Sequence, residues 1–216
     1  GEGAFIDPYD EGGLACTFQT SVERITFSAY AFKELRAGAV TNFDIGRKKV
    51  MDFVESVAQG RSASALGQKC GMDRTDNLAV DLNGNVLTCQ NVSAAARAPN
   101  GESHLIGTVH DLGMVKLNTA THFAHRDECL SCPVVQICQG ACMFLEGRLW
   151  ETTCNNAYSD ALPIFAAGIE FLTGLVPVYI EGDLPDARKD VFGFVHPTPA
   201  DGSHKAKRFP IPVVAA

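Results

Sequence analysis

A chain of 216 residues with 46% hydrophobic and 20% charged residues carries enough apolar material for one good-sized core, or for a small domain with an appendage, and is not a disordered tail. Its formal net charge of -7 leaves no excess of Lys and Arg to contact nucleic acid phosphates or an anionic membrane, which removes both as expected partners. No basic stretch followed by an apolar run opens the chain, and no uncharged apolar segment approaches the ~20 residues that span a bilayer, so a cytoplasmic location is expected.

In chain order, "GEGAFIDPYDEGG" is Gly- and acid-rich and reads as a loop that begins abruptly. Thr20 followed by Glu23 offers a capping box, and Val22, Ile25, Ala29 and Phe32 recur at helical spacing up to Gly38. A second helix is written by Val50, Phe53, Val54 and Val57 and closed by Gly60. Both stripes are expected to face a core. In "NLAVDLNGNVLTC", Asn83-Gly84 lies between two short alternating runs, the signature of a β-hairpin with a type I′ turn that puts Cys89 near the end of its second strand. "SAAARAPNGES" reads as a surface loop and "HLIGTVHDL" as a short apolar segment. Ser159 or Asp160 is expected to cap a last helix through Ile164, Phe165, Ile169 and Leu172, with Pro163 in its first turn and Gly174 past its end. From Pro185 onward, prolines and charges with few large apolar residues suggest a loosely held tail.

Eight cysteines, Cys16, Cys70, Cys89, Cys129, Cys132, Cys138, Cys142 and Cys154, need a chemical reason. A disulfide framework belongs to exported and mostly smaller proteins, so thiols packed this densely read better as metal ligands. Four of them form one continuous C-x2-C-x5-C-x3-C run from Cys129 to Cys142, with Cys154 eleven residues further on. Zinc fingers and ribbons pair two short knuckles. A cube of iron and sulfide is wider than one ion and takes ligands from separated corners, so the run favours an iron-sulfur cluster over zinc.

The whole pattern, C-x13-G-x4-C from Cys70 through Gly84 to Cys89, then the run, then Cys154, resembles the seven-cysteine SPASM domain of radical S-adenosylmethionine (radical SAM) peptide and protein maturases. The likeness covers about residues 67 to 176, and "LIGTVHD" is similar to the Gly-centred segment such domains carry between their cysteine groups. It implies an α+β fold: a small irregular cluster-binding domain with a β-hairpin and flanking helices. It further implies that residues 1 to 66 are the last helices of a partial (β/α) barrel and its linker, with a Pro-rich tail over 177 to 216. By resemblance, Cys70, Cys89 and Cys142 hold a first [4Fe-4S] cluster, and Cys129, Cys132, Cys138 and Cys154 hold a second.

Two departures from the family pattern shape the expected function. No cysteine between Cys70 and Cys89 supplies a fourth ligand to the first cluster, which leaves an open corner for substrate, Cys16, Asp73 or Asp76 as alternatives. No C-x3-C-x2-C motif occurs, so S-adenosylmethionine and a third [4Fe-4S] cluster would belong to a missing N-terminal domain, and the chain alone would be inactive. The expected role is the C-terminal portion of a maturase whose auxiliary clusters carry electrons or bind substrate while a radical modifies a ribosomally made peptide or protein. Its partners would be that substrate and a reductant such as ferredoxin or flavodoxin. A free-standing electron-transfer protein and a structural zinc module are the alternatives.

Gln90 stands where sulfatase-maturing members carry an acidic proton acceptor, and an amide cannot take a proton near neutral pH, so another peptide modification is expected. His122 and His125 precede a ligand cysteine but read as exposed or locally satisfied, and Arg126 and Arg148 as solvated charge. Phe144 and Trp150 are expected to wall a cluster from water. Asn91-Val92-Ser93 matches a glycosylation acceptor by chance.

Overall fold

The computed structural model describes residues 18, 20–36, 44–98, 101–117, 122–184 and 188–189. Cys16, the opening loop and residues 190–216 of the tail lie outside them. Among the described residues the chain is α+β, with helices and one three-stranded antiparallel sheet, and forms two compact units interleaved in sequence. Described residues from 64–130 and 139–155 make the first unit, and those from 18–63, 131–138 and 156 onward make the second. Among the described residues no helix is long and apolar enough to cross a membrane.

The second unit is helical. Helix α1 (Ser21–Leu35) starts at the expected capping box: Thr20 Oγ1 accepts from Glu23 N at 3.2 Å, and Glu23 Oε2 accepts from Thr20 N at 2.8 Å. Its expected core stripe is only partly correct. Val22 is 70% and Ile25 47% exposed, while Ser28, Ala31, Phe32 and Leu35 are buried. Helix α2 (Asp44–Ala58) buries Val50, Phe53 and Val54 as expected, with Val57 left exposed at its edge. It ends in a Schellman motif, in which Arg61 N donates to Ser56 O and Gly60 N to Val57 O, with Gly60 at φ 61°.

The last helix, labelled α5 because two short helices precede it, spans Gly147–Thr173 and begins twelve residues before the expected Ser159 cap. Pro163 therefore lies inside it rather than in its first turn. Proline has no N–H to give the carbonyl four residues back, which is that of Ser159. Ser28 Oγ on α1 donates to that carbonyl at 2.8 Å, so the bond lost to proline is replaced and the helix runs through. This also explains the burial of Ser28 in place of a larger side chain. Past the helix, Gly174 at φ 71° stops it where expected. The residues of α5 in this unit pack Tyr158, Ala161, Leu162, Ile164 and Ala167 into one core with Phe32, Leu35, Phe53 and Val134. Tyr158 donates its hydroxyl to Arg188 O at 2.8 Å, and burial pushes its phenol pKa up. Helix α4 (Val135–Cys138) closes this core, and Gln136 Nε2 donates to Arg61 O at 2.8 Å.

In the first unit the expected hairpin is strands β1 (Ala79–Val80) and β2 (Asn85–Leu87). Its turn is not type I′, because Asn83 does not have positive φ; only Gly84 does, at 78°. Gly84 N donates to Asp81 O, and Asp81 Oδ1 accepts from both Asn83 N and Asn85 N, so the aspartate side chain holds a type I turn followed by a left-handed glycine. "LIGT" forms a third strand, β3 (Leu105–Thr108), paired with β2 across an irregularity between Val86 and Leu87. Gly107 is needed there, because a Cβ would lie 2.7 Å from Val115 Cγ2. The short helix α3 (Asp127–Leu130) carries Cys129, and the segment from Gln139 into α5 completes the unit.

Candidate metal centre

Three of the seven candidate ligands come together in the first unit. Cys89 follows β2, Cys142 follows the loop 139–141, and Cys70 lies in a turn before β1. Burial first, and then the negative charge of Cys70, push the Cys89 thiol up. Cys142 is pushed up to about 11, by burial first and then by the charges of Cys89 and Cys70. Each sulfur therefore lies within electrostatic reach of the others. Cys89 and Cys142 are embedded with Met72, Met143, Phe144 and Val92 in a small apolar cluster, whereas Cys70 is exposed.

A backbone N–H group points at one of these sulfurs. Asn91 N donates to Cys89 Sγ at 3.4 Å, which opposes the upward push of burial there, and at Cys142 the backbone N–H groups of Phe144 and Leu145 pull the thiol in the same downward direction. Such donors favour a thiolate over a thiol. The net effect at both is upward, because burial outweighs these donors, so the two sulfurs of the metal-free protein are held as thiols in an apolar setting.

The turn that presents Cys70 is fixed by its neighbours. Asn77 Nδ2 donates to Cys70 O at 3.3 Å, and Gly71 lies so close to Asn77 that a Cβ there would be 2.9 Å from Nδ2. Gln68 is buried and donates through Nε2 to Ala141 O at 2.6 Å, tying this turn to the loop that carries Cys142. That loop is unusual: Gln139, Gly140 and Ala141 all have positive φ, at 51°, 76° and 50°. Two non-glycine residues in this region cost about 1–2 kcal/mol each. Gly140 packs so tightly on Phe123 that a Cβ would stand 2.1 Å from the Phe123 Cβ.

Among the alternatives for a fourth ligand, Cys16 lies outside the described residues. Asp73 Oδ2 accepts from Gln68 N at 2.8 Å and is paired with His122 Nε2 at 3.0 Å. The other nitrogen of His122, Nδ1, accepts from Ala124 N, so the proton sits on Nε2 and both ring nitrogens are committed. Neither is left for a metal. Asp76 is exposed and paired with Arg74, and that bond holds its carboxyl below the usual range. A pocket of about 570 Å³ opens beside Cys70, lined by Lys69, Arg74, Asp76, Asn77 and Gln139 among others.

Of the remaining candidates, Cys129 and Cys154 belong to the first unit, on α3 and α5 respectively, and Cys132 and Cys138 to the second, where both pack against its helical core. All seven described cysteines are thiols. Among the described residues no three His, Cys, Asp or Glu side chains converge tightly enough to hold a single metal ion.

Several residues at the site carried no signal in the sequence. Arg126 is not solvated as expected: it donates to Met143 O and Leu145 O and covers the Trp150 ring at 3.7 Å. Its partners are backbone carbonyls, which no side-chain pattern reveals. Asn91 matters through its main-chain N–H rather than its side chain. His104, almost fully buried, pairs with Thr88 Oγ1 and meets Phe144 edge-on at 5.4 Å. Phe144 and Trp150 are buried, and His125, Arg148 and Gln90 face solvent. Comparison with protein-family models, with curated proteins and with solved structures found no match.

Proposed function

We propose that this chain is the auxiliary-cluster portion of a radical SAM maturase of the SPASM type, with a first [4Fe-4S] cluster on Cys70, Cys89 and Cys142. The second would use Cys129, Cys132, Cys138 and Cys154. The observation that carries the reading is the grouping of Cys70, Cys89 and Cys142, distant in sequence, beside one apolar cluster with a backbone N–H group bonded to the Cys89 sulfur.

The donor set fits such a group. Three sulfurs grouped beside one apolar cluster would suit a wide cube, whose ligands approach from separated corners. A cluster bound there would accept or donate single electrons at a potential set by burial and hydrogen bonds to sulfur. Cys89 and Cys142 would hold its shielded corners, and the N–H group of Asn91 would stabilise the more negative, reduced form. Met72, Met143 and Phe144 exclude water. The fourth corner would open toward the pocket beside Cys70, because Asp76 is held by Arg74, or it would take Asp73, which meets Gln68 and His122 through Oδ2 and keeps a buried Oδ1 unpartnered. A peptide or protein would enter there, and its modification by the radical generated in a barrel domain would release an electron that the clusters could accept; a reductant such as ferredoxin or flavodoxin would be the further partner.

Purification without oxygen tests this directly. Two cubes give about eight iron and eight sulfide per chain, and loss of Cys142 brings the count to about four. Two zinc ions and no iron would replace this reading with a structural zinc module.

A further inference from the structure

Gln68 belongs to two loops at once. Its main chain is used up in the turn that carries Cys70: Gly71 N donates to Gln68 O at 2.8 Å, and Gln68 N donates to Asp73 Oδ2 at 2.8 Å. Its side chain leaves that turn and donates through Nε2 to Ala141 O at 2.6 Å, one residue before Cys142, and the whole residue is only 3% exposed. The Ala141 carbonyl and the Cys142 N–H lie in one planar amide, so a restraint on that oxygen fixes the direction in which the Cys142 backbone sets out.

Two features make this bond more than a way of filling space. Ala141 stands at φ 50° and Gln139 at φ 51°, in the left-handed region that residues with a Cβ rarely adopt, so the loop needs restraint from outside itself. Phe123 confines Gly140, and the Gln68 amide holds Ala141. Glutamine is also an unfavourable occupant of this position, because its Oε1 is buried with no hydrogen-bond partner. Methionine, of the same length, would fill the space without that orphaned oxygen, but also without the bond.

We propose that Gln68 is a positioning residue: it holds the Cys142 loop on the Cys70 turn before any metal arrives, so that these two cysteines are already grouped when a cluster is assembled. Ligands set in place beforehand spare the chain the ordering that binding would otherwise demand. The clamp is a property of the protein whatever it binds; its consequence for iron rests on the cluster proposal above.

The test compares the unaltered full chain with Gln68→Met. In the metal-free state and without oxygen, the rate at which iodoacetamide labels each cysteine is read by peptide mass spectrometry. Gln68→Met is expected to speed labelling of Cys142 about tenfold, the weight of one buried hydrogen bond, while the buried Cys89 and Cys129 keep their rates. A general loosening would speed all three together, and that result, or an unchanged Cys142, overturns the proposal. After anaerobic reconstitution the variant should hold about four iron where the unaltered chain holds about eight. Full retention of iron would show that cluster assembly does not depend on the clamp and would overturn it as well. If Gln68→Met does not fold, Gln68→Asn, whose amide is one methylene too short to reach Ala141 O, is judged by the same readings. An unaltered chain that takes up no iron defeats the cluster proposal, and the labelling rates alone then decide on Gln68.

Discussion

Ser28 gives its hydroxyl hydrogen to the carbonyl of Ser159, 131 positions away in the chain, at the one place in α5 where Pro163 supplies no N–H. Ser28→Ala therefore leaves a buried carbonyl without its donor and should cost about 1–3 kcal/mol in urea unfolding. In a Pro163→Ala background the helix regains its own N–H donor, and the same change should cost close to nothing. A coupling of about 1 kcal/mol between the two changes is the expected result, and strict additivity would mean that the hydroxyl is not standing in for the lost bond.

Gly168 on α5 lies against the Phe53 ring, where an added Cβ would come within 2.4 Å of Cδ1 and 2.8 Å of Cε1. Gly168→Ala gains about 1 kcal/mol of helix propensity but overpacks a closed core, which costs about 1–3 kcal/mol. A lower unfolding midpoint is expected, and part of the loss should return when Phe53→Leu narrows the facing side chain. A stabilised Gly168→Ala would contradict the close approach.

Gly140 is held both by its left-handed backbone and by Phe123. Gly140→Ala should cost at least about 3 kcal/mol, by handedness and by contact with backbone-proximal atoms. Phe123→Ala should fail to rescue it, because the nearest atom is the Phe123 Cβ at 2.1 Å, which alanine keeps. Urea unfolding of the three variants reads both statements.

The Cys142 thiol gives the metal-free protein a pH signature. Its folded value of about 11 stands above the ordinary 9.0, chiefly through burial, so the unfolded chain ionises first. As pH rises from about 9 toward 11 the unfolded state has lost a proton that the folded state keeps, and stability falls by roughly 1.4 kcal/mol per unit. Below pH 9 this contribution is flat. Cys142→Ala should remove that alkaline slope from denaturation curves, and metal loading should remove it as well, since a ligand sulfur is deprotonated throughout. A slope that survives Cys142→Ala belongs to another group.

What could be read from the sequence was what is local. The Thr20 and Glu23 box and the Gly60 terminus depend on residues within a few positions, and both formed as the pattern implies. The hairpin was legible and its turn type was not, because the Asp81 carboxylate chose a type I turn over the one Asn-Gly favours most often. The start of α5 was hidden because its continuity depends on a hydroxyl from α1. Strand β3 was too short to announce itself by alternation. At the candidate site, the grouping of Cys70, Cys89 and Cys142 was expected only through the family likeness, since no local rule relates residues so far apart. Arg126 and Asn91 act on or through main-chain atoms, which leave no trace in the pattern of side chains.

The unequal exposure of the three grouped cysteines also sets where damage begins. Cys89 and Cys142 are sheltered by methionine and phenylalanine, while Cys70 meets solvent at the edge of the pocket. Peroxide reaching the metal-free chain attacks the accessible sulfur first, converting Cys70 to a sulfenic acid that thiols can still reverse, and then to acids that they cannot. Handling in air would therefore consume this one sulfur first and the two sheltered ones after it, and on the cluster proposal the capacity to take up iron would go with them.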